Sequence, residues 1–208
     1  MKVLVTGGAG YIGSVLVTRL IESGYEVNVL DDLSTGHIES INKNAHFFQG
    51  SITDLNDLER SMSGCDVVFH FAAKTLVDES VSNPNLYMKI NLEGTENVLK
   101  TMVNLKINKI IMASTCAVYK ASDQPINENS ELEPTSPYGI SKLKADQLIS
   151  KYSSKYGICG ISLRFFNAAG AYYSDSIGWL TEKHHPETHL IPNLISNTRD
   201  NTFKRRVS

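Results

Sequence analysis

At 208 residues the chain can form one domain, or one domain and part of another, with a substantial core. Its hydrophobic content of 41% and charged content of 20% are those of an ordinary globular protein, and a formal net charge of -2 excludes a general attraction to nucleic acid or to an anionic membrane surface. Cys65, Cys116 and Cys159 are widely spaced, which excludes a disulfide framework and fits a reducing compartment; no apolar run suits a signal-peptide core or a bilayer span, so a soluble cytoplasmic protein is expected.

Short β-branched runs alternate with segments of helical period. "KVLVT" (2–6) reads as the first strand, followed by a helix from Tyr11 to Ser23 with Ile12, Leu16, Leu20 and Ile21 on its apolar face. "EVNVL" (26–30) and "AHFFQ" (45–49) are the next strands, "DLNDLERSM" (54–62) a helix, and "DVVFHFA" (66–72) the fourth strand. A long helix is expected from Pro84 to Asn104, then "KIIMAS" (109–114) as the fifth strand. Pro137 opens a second long helix to Tyr156, and "GISLRFF" (160–166) is the sixth strand. Near-continuous apolar strands separated by helices imply a parallel sheet buried on both faces, so the expected fold is α/β, a doubly wound sheet of Rossmann type. "DDLSTGH", "KASDQPINENSELEPTS" and everything beyond Asn167 read as polar and irregular.

"VTGGAGYIG" sets Gly7, Gly10 and Gly13 between the first strand and the first helix. Glycines there let the backbone approach a pyrophosphate, with the helix N-terminus aimed at its charge. The spacing is one residue longer than the common dinucleotide fingerprint, so its place between strand and helix carries the reading. Asp31 ends the second strand, where a carboxylate receives the ribose hydroxyls of NAD. Neither Lys nor Arg occurs between Asp31 and Ser40 to receive a 2′-phosphate, which favours NAD over NADP.

"SPYGISK" puts Tyr138 and Lys142 four apart near the start of a helix, on one face. An ammonium beside a phenol favours the phenolate, so the pair is expected to lower the tyrosine pKa and allow proton exchange with a sugar hydroxyl. Of the 9 tyrosines only Tyr138 has Lys at the fourth following position. "ASTCAVY" supplies Ser114 and Thr115 at the carboxyl edge of the sheet, where ligands of open α/β sheets bind.

With "TGGAGYIGS", "HFAAKTLVDESVSNPNLYMKINLEGTENVL", "STCAVY", "PTSPYGISK", "LRFFNAAGA" and "PETHLIP", the chain resembles the extended short-chain dehydrogenase/reductase family, and within it the nucleotide-sugar epimerases. The likeness runs to about Lys204. It implies tightly held NAD and epimerisation at C4 of a UDP-hexose (UDP-glucose/UDP-galactose) through a 4-keto sugar. By that resemblance Tyr138 is the acid/base, Lys142 tunes it and contacts the nicotinamide ribose, and Thr115 bonds the sugar hydroxyl. Gly7, Gly10, Gly13, Tyr11, Ile12, the stretch Asp31, Asp32, Leu33, Ser34, Thr35 and Gly36, then Ser51, Ile52, Phe71, Ala72, Ala73, Asn91 and Phe166 match cofactor-contacting positions. Asn167, His189 and Leu190 match positions that hold the UDP-sugar.

Sugar-nucleotide dehydration, which needs an acid and a base beside Thr115, meets Cys116 and Ala117 there and is set aside. Another epimerase or reductase of the family remains an alternative. Three positions depart from the pattern: Ser51 stands for an adenine-contacting aspartate, Lys120 for a glycine, and Thr75 for a lysine. The family pairs through helices corresponding to 84–104 and 137–156, so a homodimer is possible.

The expected organisation is an NAD-binding domain over 1–175 and the start of a smaller substrate domain over 176–208, most of it absent. That raises a second expectation, a truncated fragment with little or no turnover. His184, His185, Glu187 and His189 lie in a proline-interrupted segment without fixed helical spacing, so no metal is expected. Lys204, Arg205 and Arg206 are too few for a nucleic-acid arm.

Overall fold

Six apolar runs become strands, β1 (Lys2–Thr6), β2 (Glu26–Asp31), β3 (His46–Gln49), β4 (Val67–His70), β5 (Lys109–Thr115) and β6 (Cys159–Phe165). All pair in parallel in the order β3-β2-β1-β4-β5-β6. The structure, a computed structural model, describes residues 1–182, 191 and 193–195. The direction of strand addition reverses between β1 and β4, which opens a crevice at the carboxyl ends of those strands.

Successive residues of β1 serve opposite faces, as strand geometry requires. Val3 and Val5 pack with Val17, Val27, Val29 and Val67 under the helix α1 (Tyr11–Glu22). Leu4 joins Leu30, Val68, Ile110 and Met112 on the other face. There they meet Leu58 and Met62 of α2 (Leu55–Met62), Val98, Leu99 and Met102 of α5 (Gly94–Asn104), and Ala145 and Ile149 of α6 (Pro137–Tyr156). Burying each such aliphatic side chain is worth about 1.5–3 kcal/mol.

The second long helix forms as its sequence dictates. Ser136 Oγ accepts the Gly139 amide at 3.0 Å, Pro137 fills the first turn, and Gly157 ends the helix in the left-handed region at φ 69°.

Three features differ from the sequence expectation. A short helix α3 (Val77–Ser82) follows β4, where the sequence pattern gives no element. The helix expected over 84–104 is divided into α4 (Pro84–Tyr87), a π-helical turn (Met88–Glu93) and α5. Beyond Asn167 the chain is not wholly irregular: β7 (Ala171–Ser174) and β8 (Gly178–Thr181) pair as an antiparallel hairpin. Tertiary contacts make that hairpin. Leu180 is buried, Tyr172 and Ser174 hydroxyls donate to Glu22 of α1, and Asn42 donates to Ser176 at 2.8 Å. Among the described residues no helix is long and apolar enough to cross a membrane.

A polar relay is sealed between β1, β4 and α5. Thr6 Oγ1 accepts the Ala72 amide at 3.3 Å and meets His70 Nδ1 at 2.8 Å; His70 Nε2 meets Thr95 Oγ1 at 2.9 Å. Thr95 donates its own proton to the Asn91 carbonyl at 2.6 Å, so Nε2 carries the imidazole hydrogen and Nδ1 accepts from Thr6. Burial, with a smaller contribution from the Lys142 charge, lowers the His70 pKa to about 3. The unfolded chain therefore takes up a proton near pH 6.5 that the folded chain refuses, and stability falls as pH falls below that value. Unfolding free energies from urea titrations between pH 7 and pH 5 should decline by up to about 1.4 kcal/mol per pH unit from this group. His70→Gln should flatten that slope; an unchanged slope in the variant would refute the assignment.

Candidate active site

The crevice begins where β1 turns into α1. Gly7 has φ 72°, and a Cβ on it would lie 2.5 Å from the Ala72 nitrogen and 2.7 Å from the Phe71 carbonyl carbon. A Cβ on Gly13 would overlap the Gly7 carbonyl. Gly10 caps α1 without a side chain, leaving the amides of the first turn facing the crevice. The loop is a cradle that only glycine can form, and its free amides suit a phosphate.

Asp31 stands beside it, 8% exposed. Its Oδ2 accepts the Ala9 amide at 3.0 Å and its Oδ1 the Leu33 amide at 2.9 Å, so one carboxylate braces the glycine loop against the loop after β2. Burial raises its pKa, and the two amide bonds oppose that shift. Each oxygen keeps a lone pair for a ligand hydroxyl.

From this end a cleft of about 720 Å³ runs to the amino end of α6. The expected Gly7, Gly10, Tyr11, Ile12, Gly13, Asp31, Asp32, Ser34, Thr35, Gly36, Ser51, Ile52, Phe71, Ala72, Ala73, Thr115, Tyr138, Lys142, Phe166 and Asn167 all line it. Leu33 and Asn91 do not. Leu33 takes a left-handed backbone, φ 59°, and offers its amide to Asp31. Asn91 is buried behind the wall, bonded to both backbone groups of Lys74 and to Ser141. His189 and Leu190 lie outside the described residues, as do His184, His185 and Glu187.

At the far end Thr115, 7% exposed, and Lys142, 3% exposed, line the cleft together with Tyr138. Thr115 Oγ1 accepts the Ala117 amide at 3.1 Å. The tyrosine pKa is raised, opposite to the expected direction. Burial is the main cause, the neighbouring Thr115 hydroxyl opposes it, and Cys116 adds to it. Burial also lowers the Lys142 pKa to about 8, against support from the Asp146 charge one helical turn on. The sequence shows an ammonium four residues from a phenol but not the desolvation of both.

Sequence reasoning also missed the wall Leu76–Glu79, which belongs to the unanticipated α3 region, and Thr181 and Glu182, which the β7–β8 hairpin brings to the cleft. A polar loop pattern gave no periodic signal for either.

A parallel sheet with a glycine cradle and a buried carboxylate at one end of its crevice, and a Tyr-Lys-Thr group at the other, defines a dinucleotide-dependent class of enzyme fold. The chain belongs to the NAD dependent epimerase/dehydratase family, whose pattern matches residues 3–206. It is similar to the UDP-glucose 4-epimerase of Corynebacterium glutamicum, 40% identical over 207 residues covering 98% of this chain and 61% of that one. The UDP-glucose 4-epimerase of Halalkalibacterium halodurans is 44% identical over 198 residues, 94% of this chain and 58% of that one. The fold superposes on the crystal structure of the Brucella ovis UDP-glucose 4-epimerase in complex with NAD with a TM-score of 0.89, at 38% identity, covering 96% of this chain and 61% of that chain. The chain thus spans about three-fifths of the length of these relatives.

The Lys142 shift has a stability consequence. Its ordinary pKa of 10.5 applies to the unfolded chain, so between pH 8 and that value the unfolded state holds the proton and the folded state does not. Stability contributed by this group therefore rises with pH. The pH dependence of unfolding free energy, measured in parent and Lys142→Met, should differ by a parent gain between pH 8 and 9. Cys65, whose thiol burial pushes up to about 11, acts in the opposite sense in both chains and cancels in the difference. Identical pH dependence in the two chains would overturn the assignment.

Proposed function

We propose that this chain binds NAD along the crevice and carries the acid/base machinery for epimerising a UDP-hexose at C4. The observation that carries the reading is the presence of Tyr138, Lys142 and Thr115 in the same cleft as the glycine cradle and Asp31. The cradle fits a pyrophosphate because its glycines leave the backbone bare, and Asp31 fits a ribose diol because its oxygens are fixed and half engaged. The names of the relatives support the UDP-hexose and the epimerisation.

When bound, oxidised NAD supplies a hydride acceptor and a positive charge. In the proposed reaction Tyr138 takes the proton of the sugar 4-hydroxyl as hydride leaves C4. After the 4-keto sugar has turned its other face, Tyr138 returns that proton to the oxygen as the hydride comes back to C4. Thr115, in the same cleft, bonds the sugar hydroxyl and holds it toward the phenol. Lys142 holds the nicotinamide ribose and contributes charge next to Tyr138. Burial raises the phenol pKa above its ordinary value, so Lys142, together with the positive charge that bound NAD would bring, would be needed to favour the phenolate that takes the proton. Asn167, on the cleft wall, is proposed to hold the UDP-sugar with His189 and Leu190.

Cofactor binding and turnover are separate questions for a chain that matches about three-fifths of its relatives' length. NAD affinity is measured by calorimetry, and conversion of UDP-galactose by a coupled assay. Tyr138→Phe should lower kcat by about 10²–10⁴ with NAD affinity unchanged. NAD binding without turnover in the parent chain would leave a cofactor-binding fragment and refute the epimerase reading for these residues. No NAD binding would refute both.

A further inference from the structure

Tyr87 and Asn91 are four residues apart on the run α4 to π turn, and both are buried, at 0% and 1% exposure. Neither lines the cleft, yet each touches the same two parts of it. The Tyr87 hydroxyl lies between two acceptors, the Leu76 carbonyl at 2.6 Å and Glu79 Oε2 at 2.8 Å, and its single proton is shared between them. Its ring meets the ring of Tyr138 edge to face, with centroids 6.3 Å apart and planes at 83°. Asn91 Oδ1 accepts the Lys74 amide at 2.8 Å, and its Nδ2 donates to the Lys74 carbonyl and to Ser141 Oγ, each at 3.0 Å. Ser141 Oγ in turn donates to the Tyr138 carbonyl at 2.7 Å.

Two side chains on one helix face therefore tie the wall 74–79 to the turn 138–141. Tyr87 does so through the Tyr138 ring, Asn91 through the Tyr138 backbone. We propose that Tyr87 and Asn91 form a two-rung clamp that fixes the Tyr138 ring against the cleft wall before any ligand enters, with Tyr87 a positioning residue for the proton transfer. The inference rests on the reading of Tyr138 as the acid/base. In the Asn91 rung the amide oxygen and both amide hydrogens are engaged and Ser141 Oγ both accepts and donates, which is what makes a buried polar network rigid. Edge-to-face packing holds a ring in one orientation better than aliphatic contact does. The chemistry needs that orientation, since misplacement of a reacting group by about 1 Å can cost about 10²-fold in rate.

Tyr87→Phe keeps the ring edge and releases the wall; Tyr87→Leu removes both. In the parent chain with NAD and UDP-galactose, Y87F should lower kcat about tenfold and Y87L about 100-fold. KM and the NAD dissociation constant should stay within about twofold, a split that loss of general stability would not produce. Equal loss of kcat and NAD affinity, or kcat unchanged in Y87L, overturns the clamp. Amide hydrogen exchange gives a second readout that needs no turnover. Both variants should speed exchange in 74–79 and 138–141 together; acceleration confined to 74–79 overturns the proposal. A parent chain that fails to turn over refutes the epimerase reading alone, and the exchange data still decide the clamp.

Discussion

The crevice depends on a contact that a side chain would destroy. The Gly7 backbone runs so close to Phe71 and Ala72 that a Cβ would sit inside van der Waals distance of the peptide between them. That approach brings the carboxyl ends of β1 and β4 together at the point where strand order reverses. Thr6 then reaches the Ala72 amide, His70 reaches Thr6, and the relay passes to Thr95 and the Asn91 carbonyl. The cofactor cradle and the clamp behind Tyr138 are thus two ends of one buried network, anchored by an absent side chain.

Desolvation governs the titratable groups along that floor. Asp31 and Tyr138 shift up, Lys142 and His70 shift down, and each move favours the neutral form. For Lys142, 3% exposed, the drop from 10.5 to about 8 corresponds to roughly 3 kcal/mol of disfavoured charge. A crevice tuned this way gains from a ligand that brings its own charges and hydroxyls, because groups already cut off from water need no further desolvation to meet them.

The fold was legible where local chemistry and burial agree. Apolar runs such as "KVLVT" and "KIIMAS" have no stable place except a sheet covered on both faces, and Ser136-Pro137 with Gly157 mark both ends of α6. The glycine loop, Asp31 and the Tyr138/Lys142 pair were legible because their spacing carries a mechanism. What escaped depends on distant partners. The β7–β8 hairpin has a weak pattern of its own and is held by Glu22, Arg19 and Asn42. The direction of the Tyr138 shift follows from burial, which a four-residue spacing does not reveal. Asn91 matched a cofactor position by resemblance, whereas its geometry turns it to Lys74 and Ser141.

The π turn is the least expected local feature and has a physical reason in this arrangement. Tyr87, Asn91, Thr95 and Leu99 are all buried, at a strict spacing of four. In a regular α-helix of 3.6 residues per turn, each step of four drifts by about 40°, so three steps carry the last side chain about a third of the way round. A π turn accommodates more residues per turn, and placing one at Met88–Glu93 absorbs part of that drift. The helix can then aim Tyr87 and Asn91 at the Tyr138 turn, Thr95 at His70 and Leu99 at the core from nearly one line. The break, which the sequence pattern does not announce, thus falls between Tyr87, which reaches the Tyr138 ring, and Thr95 and Leu99, which reach His70 and the core.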